Sequence, residues 1–351
     1  MSEGKGAGRC VRTGAVAAVL VLLALASSGC GADGGKDALF SNPVVAGLWS
    51  SERMGEAAAE DMLVSDGTAV DAGKTDPEPE AVEASGQPSP YLRTAPVVGK
   101  LFFDSDDGPG VCSATVVDDP AQPGASDLVW TAGHCVHGGA GGDWFSNIVF
   151  VPAYNSDGLT GEERQAATTE EVAPLGVWWA DAARTSPEWM RQGRDAGGGG
   201  ASFDYAVLHV RPPSGSGSLE QVVGQAVPLW FDAPSATYIP AVKVWGYPAE
   251  APFDGETLWT CQDRPGRLSL GPDSPTMYRI GCTMNAGASG GGWFAQRPDG
   301  ELALISNTSI GPADPVWLAG PRLNSSARAL YTAISESAAA ASATASTASP
   351  Q

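Results

Sequence analysis

The sequence predicts an all-β fold, a barrel or a sandwich, with one helix near the C-terminus. The 351 residues include 45 Gly and 27 Pro, a composition typical of short strands joined by many turns. Short apolar runs recur between turn signals from Tyr91 onward, at the length expected of strands. A chain of this size can bury a substantial core.

The apolar runs mark the expected strands in chain order. They are rich in β-branched and aromatic residues, which suit a pleated, half-buried surface. They are PVVGKLFF (96–103), VCSATVV (111–117), DLVWTA (127–132), NIVFVPAY (147–154), YAVLHV (205–210), AVKVWGY (241–247) and ELALISN (301–307). The polar, glycine-rich stretch 181–202 is predicted to be an inserted surface loop.

One amphipathic helix is predicted near the end of the chain, with Asn324 or Ser325 as its N-cap. Its apolar positions follow helical spacing. They are Leu323, Ala327, Leu330, Tyr331 and Ile334. The low-complexity residues 336–351 that follow are predicted to be a disordered tail.

The N-terminus is typical of an export signal over residues 1–29. Lys5, Arg9 and Arg12 precede the apolar stretch 16–26, which is too short to span a bilayer comfortably. We therefore expect a secreted protein.

Two processing sites compete within this signal. Ala24-Leu25-Ala26 fits ordinary signal peptidase. Ser28-Gly29-Cys30 is similar to a bacterial lipoprotein signal, in which Cys30 would be acylated and would anchor the mature chain in the cell membrane.

Residues 30–90 are predicted to be an acidic flexible tether or a propeptide, with a short helix near 52–63, ahead of a domain over 91–335. Positions 31–90 hold 12 Asp/Glu against 3 Lys/Arg, which places -9 of the net charge of -20 in one segment. Such a segment is usually a solvated spacer. The acidic balance, with no basic stripe, argues against nucleic-acid binding.

Four of the six cysteines are expected to form disulfides in an oxidising compartment. Cys10 lies in the signal and Cys30 at the lipidation site, so Cys112, Cys135, Cys261 and Cys282 remain, with three possible pairings. Sequence proximity favours a disulfide between Cys112 and Cys135 and another between Cys261 and Cys282. Each pair would close a loop of about 20 residues, a stabilisation of roughly 3 kcal/mol.

His134, in WTAGHCVHGG (130–139), follows a predicted strand and precedes a cysteine. It could carry a proton in catalysis, bind a metal beside Cys135, or be an ordinary buried ring. For His137 we expect a solvent-exposed loop position, and for His209 a place on a strand, both without a functional role.

Ser289, in NAGASGGGWF (285–294), is the best candidate nucleophile because its glycine neighbours allow a tight turn that aims amide N–H groups at one point. The same residues fit the G-x-S-x-G elbow of α/β-hydrolases, whose histidine follows the serine. All three histidines precede Ser289, and this order excludes that elbow.

Three blocks in the order His, Asp, Ser resemble the signatures of chymotrypsin-like serine peptidases: TAGHC (131–135), FDYAVL (203–208) and GASGG (287–291). The segments CSATVV, WGYPAEAPFDG and CTMNAGASGGGWF are similar to the bacterial V8-like, glutamyl-endopeptidase-related branch. The resemblance covers about residues 95–335. It implies two antiparallel six-stranded β-barrels with a C-terminal helix, and a catalytic site in the cleft between them.

The resemblance also implies a role for each matched residue. His134 would be the general base and then acid, Asp204 would orient it, and Ser289 would form an acyl-enzyme. The N–H groups of Gly287 and Ser289 would form the oxyanion hole. Cys112 and Cys135 match a disulfide of the family, and a disulfide-bonded Cys135 could not bind a metal beside His134. The resemblance implies neither a metal nor an organic cofactor.

Substrate contacts are expected on two segments. Thr283 matches the base of the specificity pocket, and it offers no counter-charge for a substrate Arg or Lys. A small or polar pocket lined by Thr283, Asn285 and Asn307 is predicted. The segment Ser306–Thr308 should pair with the substrate backbone as an added strand, and Ser306 should hydrogen-bond Asp204.

Together these features predict a secreted serine endopeptidase, expected to be a monomer, that acts on polypeptide substrates. Two alternatives stay open at this point. One is a catalytically inactive homologue that acts as a surface binding protein, and the other is an esterase with the same three residues.

Overall fold

The computed structural model of the chain describes residues 40–59, 62–64, 68, 70–194, 196, 198–212 and 217–348. The predicted export signal, both processing sites and Cys30 lie outside the described residues.

The described residues are mostly β. The strands are β1 Ala58–Ala59, β2 Leu63–Val64, β3 Ser85–Gly86, β4 Val98–Ser105, β5 Gly108–Val117, β6 Leu128–Thr131, β7 Ser146–Pro152, β8 Trp178–Thr185, β9 Ala206–Arg211, β10 Val242–Gly246, β11 Trp259–Asp263, β12 Gly266–Leu268, β13 Met277–Gly281, β14 Gly292–Gln296, β15 Leu302–Asn307, β16 Gly311–Pro312 and β17 Trp317–Gly320. The helices are α1 Ser51–Glu56, α2 Tyr91–Thr94, α3 Gly161–Ala166, α4 Thr169–Val172, α5 Pro187–Gln192, α6 Leu219–Val223 and α7 Ser325–Ala348.

Six of these strands close into an antiparallel barrel. The order is β5-β4-β7-β8-β9-β6, and pairing of β6 with β5 closes the ring. Closure leaves no free edge among the six strands. Large side chains of these strands are fully buried, among them Trp130, Phe150 and Trp178. The barrel predicted for the first half is therefore confirmed.

The second half of the described residues forms two main sheets. One has the order β15-β14-β10-β11-β3 and the other β12-β13-β17. Their pairings do not close into a six-strand ring, so the prediction of two closed barrels is confirmed only for the first. The disulfide between Cys261 on β11 and Cys282 just after β13 joins the two sheets. The other disulfide joins Cys112 and Cys135, and both pairings favoured by sequence proximity are confirmed.

The C-terminal helix α7 packs on the barrel through the predicted apolar face, where Ala327, Tyr331 and Ile334 are buried. Asn324 caps it, since its Oδ1 accepts from Ser326 N at 2.9 Å and Ala327 N at 3.1 Å. The helix runs to Ala348, so the predicted disordered tail is wrong for the described residues beyond 335, where alanine favours helix. Within the described residues, no helix has both the length and the apolar character to cross a membrane.

The segment from 40 to 90 packs on the domain wherever it is described, which contradicts a flexible tether. Asn42 is buried and donates to the carbonyls of Ile148 and Ala180, both at 2.8 Å. Trp49 is 3 % exposed and packs in the barrel core. The acidic charge of the 40–90 segment is partly offset by ion pairs such as that between Asp76 and Arg267, at 2.6 Å. Removal of the segment as a propeptide stays a prediction.

His209 lies on β9, as predicted, and pairs with Asp181 of the neighbouring strand at 2.5 Å. Burial lowers the pKa of His209, but the hydrogen bond and the charge of Asp181, with Asp127 and Asp119 beyond it, outweigh burial and raise that pKa above its ordinary value. A raised folded-state pKa stabilises the fold below the unfolded pKa of about 6.5 and loses this contribution as pH rises through the folded pKa.

We therefore expect Asp181→Asn to lower the free energy of unfolding more at about pH 5 than at about pH 8.5. Urea denaturation of both proteins at the two pH values measures this. An equal loss at both would show that the ion pair does not contribute.

Candidate active site

His134 sits in a tight 3-10 turn, Gly133–Cys135, directly after β6. Its backbone N–H donates to Asp204 Oδ1 at 2.8 Å, and its ring Nδ1 lies 2.7 Å from Asp204 Oδ2. A Cβ at Gly133 would lie 2.7 Å from Thr185 Oγ1 and 3.0 Å from Asp204 Oδ1, so glycine permits this close approach. Because an ionised carboxylate can only accept, the proton belongs on Nδ1 and the lone pair on Nε2.

Asp204 ends a 3-10 turn just before β9 and is fully buried. Ser309 Oγ donates to its Oδ2 at 2.6 Å, so the carboxylate accepts from three donors. A buried charge is tolerated only with such partners. The neighbouring Tyr205 adds no charge, because burial raises the pKa of its hydroxyl well above the ordinary value. The predicted bond from Ser306 to Asp204 is wrong, since Ser306 Oγ donates to Pro321 O at 2.7 Å.

Ser309 is therefore a candidate positioning residue, and no signal in the sequence pointed to it. Ser309→Ala is expected to lower kcat/KM by about 10- to 100-fold, because a hydrogen bond to a charged group contributes about 1.5–3 kcal/mol. Ser306→Ala is the matched control, since it also removes a buried hydroxyl but one bonded to a carbonyl. Peptide-cleavage kinetics and melting curves of both variants measure this. Equal losses of activity would refute the role of Ser309.

Ser289 lies in a turn between Gly287 and Gly290, whose φ angles are +91° and +78°. A Cβ at Gly287 would lie 2.6 Å from the Tyr247 carbonyl, and a Cβ at Gly290 would collide with Thr131 Oγ1. Both positions therefore require glycine. Ser289 Oγ is buried and makes no hydrogen bond to any described residue.

The serine turn is fastened to the segments that carry the other two residues. Ser113 N donates to Ser289 O at 2.7 Å, and Gly290 N donates to Thr308 O at 2.8 Å, next to Ser309. A Cβ at Gly290 would lie 3.1 Å from Ala132 N, two residues before His134. The fold thus brings the His134, Asp204 and Ser289 segments together from both halves of the domain.

The carbonyls of Ala286 and Ala288, on the peptides that carry the N–H groups of Gly287 and Ser289, each accept a hydrogen bond. Ala249 N donates to Ala286 O at 2.7 Å and Gly291 N to Ala288 O at 3.0 Å. Because N–H and C=O point in opposite directions across a trans peptide, these bonds turn the N–H groups of Gly287 and Ser289 to the other side. Such fixed donors can stabilise a developing oxyanion.

The metal-site interpretation of His134 fails on sulfur chemistry. Among the described residues, Cys112, His134 and Cys135 have potential ligand atoms within 4.8 Å of one another. The two cysteines form a disulfide, and a metal needs a thiolate. His137, predicted to be exposed, is instead buried, with its ring centroid 5.1 Å from that of Trp144; the glycine-rich loop folds back over it.

The side chains predicted to line the specificity pocket each make hydrogen bonds within the domain. Thr283 Oγ1 accepts from Ala84 N at 2.9 Å, and Asn285 Nδ2 donates to Glu250 O at 2.8 Å. Asn307 is fully buried, and its amide bonds the Trp130 indole at 3.0 Å and Asp204 O at 2.9 Å. The pocket predicted from these three side chains stays a prediction.

The segment Ser306–Thr308, predicted to pair with the substrate backbone, pairs with β14 in the structure. Asn307 pairs with Gly292 and Ser306 with Trp293 within the sheet. Thr308 N donates to Gly291 O at 2.9 Å, and Thr308 Oγ1 accepts from the Trp293 indole at 3.0 Å. One edge of Ser306–Thr308 is therefore occupied by β14, and the predicted pairing with a substrate backbone stays a prediction.

The stretch 181–202, predicted to be an inserted loop, begins as part of a barrel strand. Its first residues belong to β8, which carries a bulge between Ala180 and Ala182. It continues into α5, where Trp189 is fully buried with its ring centroid 6.1 Å from that of His134. Trp189, a large apolar residue in a polar stretch, is thus a wall of the site that sequence reasoning missed.

Solved serine proteases share this architecture. The chain is similar to the thermostable serine protease AL20 from an extremophilic microorganism, at 33% identity over 69% of this chain and 98% of that one, with a TM-score of 0.55. It is similar to the protease Anisep from Arthrobacter nicotinovorans, at 27% identity over 72% and 99%, also with a TM-score of 0.55. A Glu endopeptidase solved with MPD shares the fold at 12% identity over 75% and 99%, with a TM-score of 0.51.

No protein-family model and no curated protein sequence matches the chain. Identity of 33% across nearly the whole of a solved serine protease nevertheless agrees with the closed barrel and the hydrogen-bonded site described above. The chain therefore belongs to the chymotrypsin-like serine peptidases.

Proposed function

We propose that the protein is a serine endopeptidase that hydrolyses peptide bonds through an acyl-enzyme. The observation that carries this proposal is the buried row from His134 Nδ1 to Asp204 and Ser309, at 2.7 and 2.6 Å, beside the glycine-bounded turn of Ser289. Because Asp204 holds the proton on Nδ1, the lone pair of the ring lies on Nε2, where it can accept a proton. The two sheets of the second half would act as the second barrel of the fold.

In the proposed reaction, Ser289 Oγ attacks the substrate carbonyl as its proton passes to His134 Nε2. Asp204 stabilises the imidazolium that forms. The N–H groups of Gly287 and Ser289 bind the oxyanion, and the protonated ring then delivers its proton to the leaving amine. Water attacks the acyl-enzyme by the same route in reverse. In this reaction Ser289 Oγ must come within hydrogen-bond reach of His134 Nε2, and catalytic hydrogen bonds often tighten when substrate binds.

The test compares a denatured protein with a simple carboxylic ester as substrates, each incubated with the full chain and with Ser289→Ala. We expect both substrates to be cleaved, and both activities to be lost in the variant. Cleavage of the ester alone would establish the esterase alternative, and cleavage of neither would favour an inactive homologue.

We propose further that the protein is exported and anchored through lipidated Cys30. Two disulfides among the described residues support export, because such bonds persist in oxidising compartments. Cys30→Ser should release the protein from the membrane fraction into the medium, as measured by fractionation of expressing cells. Retention of the variant in the membrane would contradict anchoring at this residue.

A further inference from the structure

A short piece of the N-terminal segment, Met62–Val64, lies as a strand beside the candidate active site; we name it the strap. Leu63 and Val64 pair in parallel with Gly311 and Pro312 of β16, and Gly311 N donates to Met62 O at 3.4 Å. On its other side, Leu63 forms a parallel bridge with Ala196. The strap thus fills the space between β16 and the loop that follows α5.

The strap is close to the catalytic row through both of its neighbours. Gly311 is two residues beyond Ser309, whose hydroxyl bonds Asp204. Met62, 1 % exposed, and Val64 share one apolar cluster with Ile310 and with Trp189, the residue whose ring faces His134. The strap therefore packs in the same apolar cluster as Trp189, whose ring contacts His134.

The chain on either side fastens the strap. Before it, Ala59 of β1 pairs with Val111, adjacent to Cys112 of the disulfide that follows His134. After it, Arg279 Nη2 donates to Asp76 O at 2.6 Å and the Trp317 indole to Glu78 Oε2 at 3.2 Å. The segment is thus attached to the barrel on one side of the site and to the second half on the other.

The candidate nucleophile and its base have little exposed surface in this arrangement. Ser289 is 1 % exposed and His134 6 % exposed, although both must touch a substrate. An extended peptide gains affinity by pairing its backbone with a sheet edge. Ser309 and Ile310 pair with Ala319, and directly after them Gly311 and Pro312 of β16 pair with the strap. The strap therefore occupies a sheet edge next to Ser309.

We infer that the strap is an autoinhibitory element that occupies the sheet edge where an extended polypeptide substrate must bind. This inference rests on the proposed peptidase function. Substrate can bind to this sheet edge only when Met62 leaves its apolar cluster and the strap detaches. The rate of peptide cleavage is therefore limited by the fraction of molecules in which the strap is detached.

The first test shortens the strap's buried anchor in the full-length protein. Met62→Ala should raise kcat/KM for an extended peptide by about tenfold or more, since a cleft closed in nine molecules of ten lowers apparent affinity about tenfold. Met54→Ala is the matched control, because Met54 is also 1 % exposed in the N-terminal segment but packs into the barrel core. An equal rise in both variants would overturn the inference.

The second test locks the strap with a disulfide, in the double variant Leu63→Cys with Ala196→Cys. Both positions are exposed and lie opposite each other. We expect the oxidised form to lose peptide cleavage and the reduced form to regain it, while a small fluorophosphonate labels Ser289 in both. Equal peptide cleavage in both forms, with labelling intact, would overturn the inference alone. Absence of labelling in both forms and in Met62→Ala would overturn the proposed function and the inference with it.

Discussion

Replacing Ser289 with alanine is expected to lower kcat for peptide cleavage by about 10⁴-fold or more, with little loss of stability. The hydroxyl is the proposed attacking group, so its removal leaves only binding and oxyanion stabilisation. Its Oγ makes no hydrogen bond to a described residue, so the fold loses little. Single-turnover kinetics on a peptide and thermal unfolding of the same sample measure both effects.

Ser335→Ala is the control for this prediction. Ser335, on α7, is equally buried at 1 % exposure, but its hydroxyl donates to the carboxylate of Asp119. This variant should lose stability and keep kcat. If Ser289→Ala kept its activity within about tenfold, a value far short of the loss expected for a nucleophile, the assignment of Ser289 would be wrong.

Replacing Asp204 with asparagine is expected to lower kcat by about 10⁴-fold while KM changes little. The carboxylate accepts from His134 N, His134 Nδ1 and Ser309 Oγ. An amide fills the same space, but its NH₂ group facing Nδ1 would favour a proton on Nε2. The ring would then have no lone pair toward Ser289. Kinetics on a peptide substrate across a range of pH measure the loss.

Asp119→Asn is the control for this second prediction, because Asp119 is a buried carboxylate that accepts from Ser335 and Ala121 instead. It should leave kcat unchanged. An Asp204→Asn protein with full activity, or with a loss seen only in KM, would show that Asp204 does not set the proton position on the ring.

Sequence predicted the site better than its surroundings, because the catalytic segments carry local signatures. All seven apolar runs lie on strands, from β4 to β15. TAGHC and GASGG are constrained by close approaches at Gly133 and Gly290, and such constraints are visible in a short stretch of sequence. The strand β8 is not marked by an apolar run, because only four of its eight residues are buried and a bulge interrupts its alternation.

Contacts between distant parts of the chain could not be predicted in this way. Asp76 finds its partner Arg267 191 residues away, so an acidic stretch that suggested a solvated spacer is in fact attached to the domain. The partner of Asp204 on the second half was expected to be Ser306. The partner is Ser309, which lies two residues beyond the end of β15 at Asn307 and whose hydroxyl donates to the Asp204 carboxylate. Ser306 lies within β15 itself.

The most direct test is to map by mass spectrometry where a fluorophosphonate probe attaches to the full chain and to His134→Ala. Our account predicts a single adduct on Ser289 in the native protein, and no adduct in the variant, since the hydroxyl there has no base to activate it. An adduct on a different residue, or undiminished labelling of Ser289 without His134, would contradict the account.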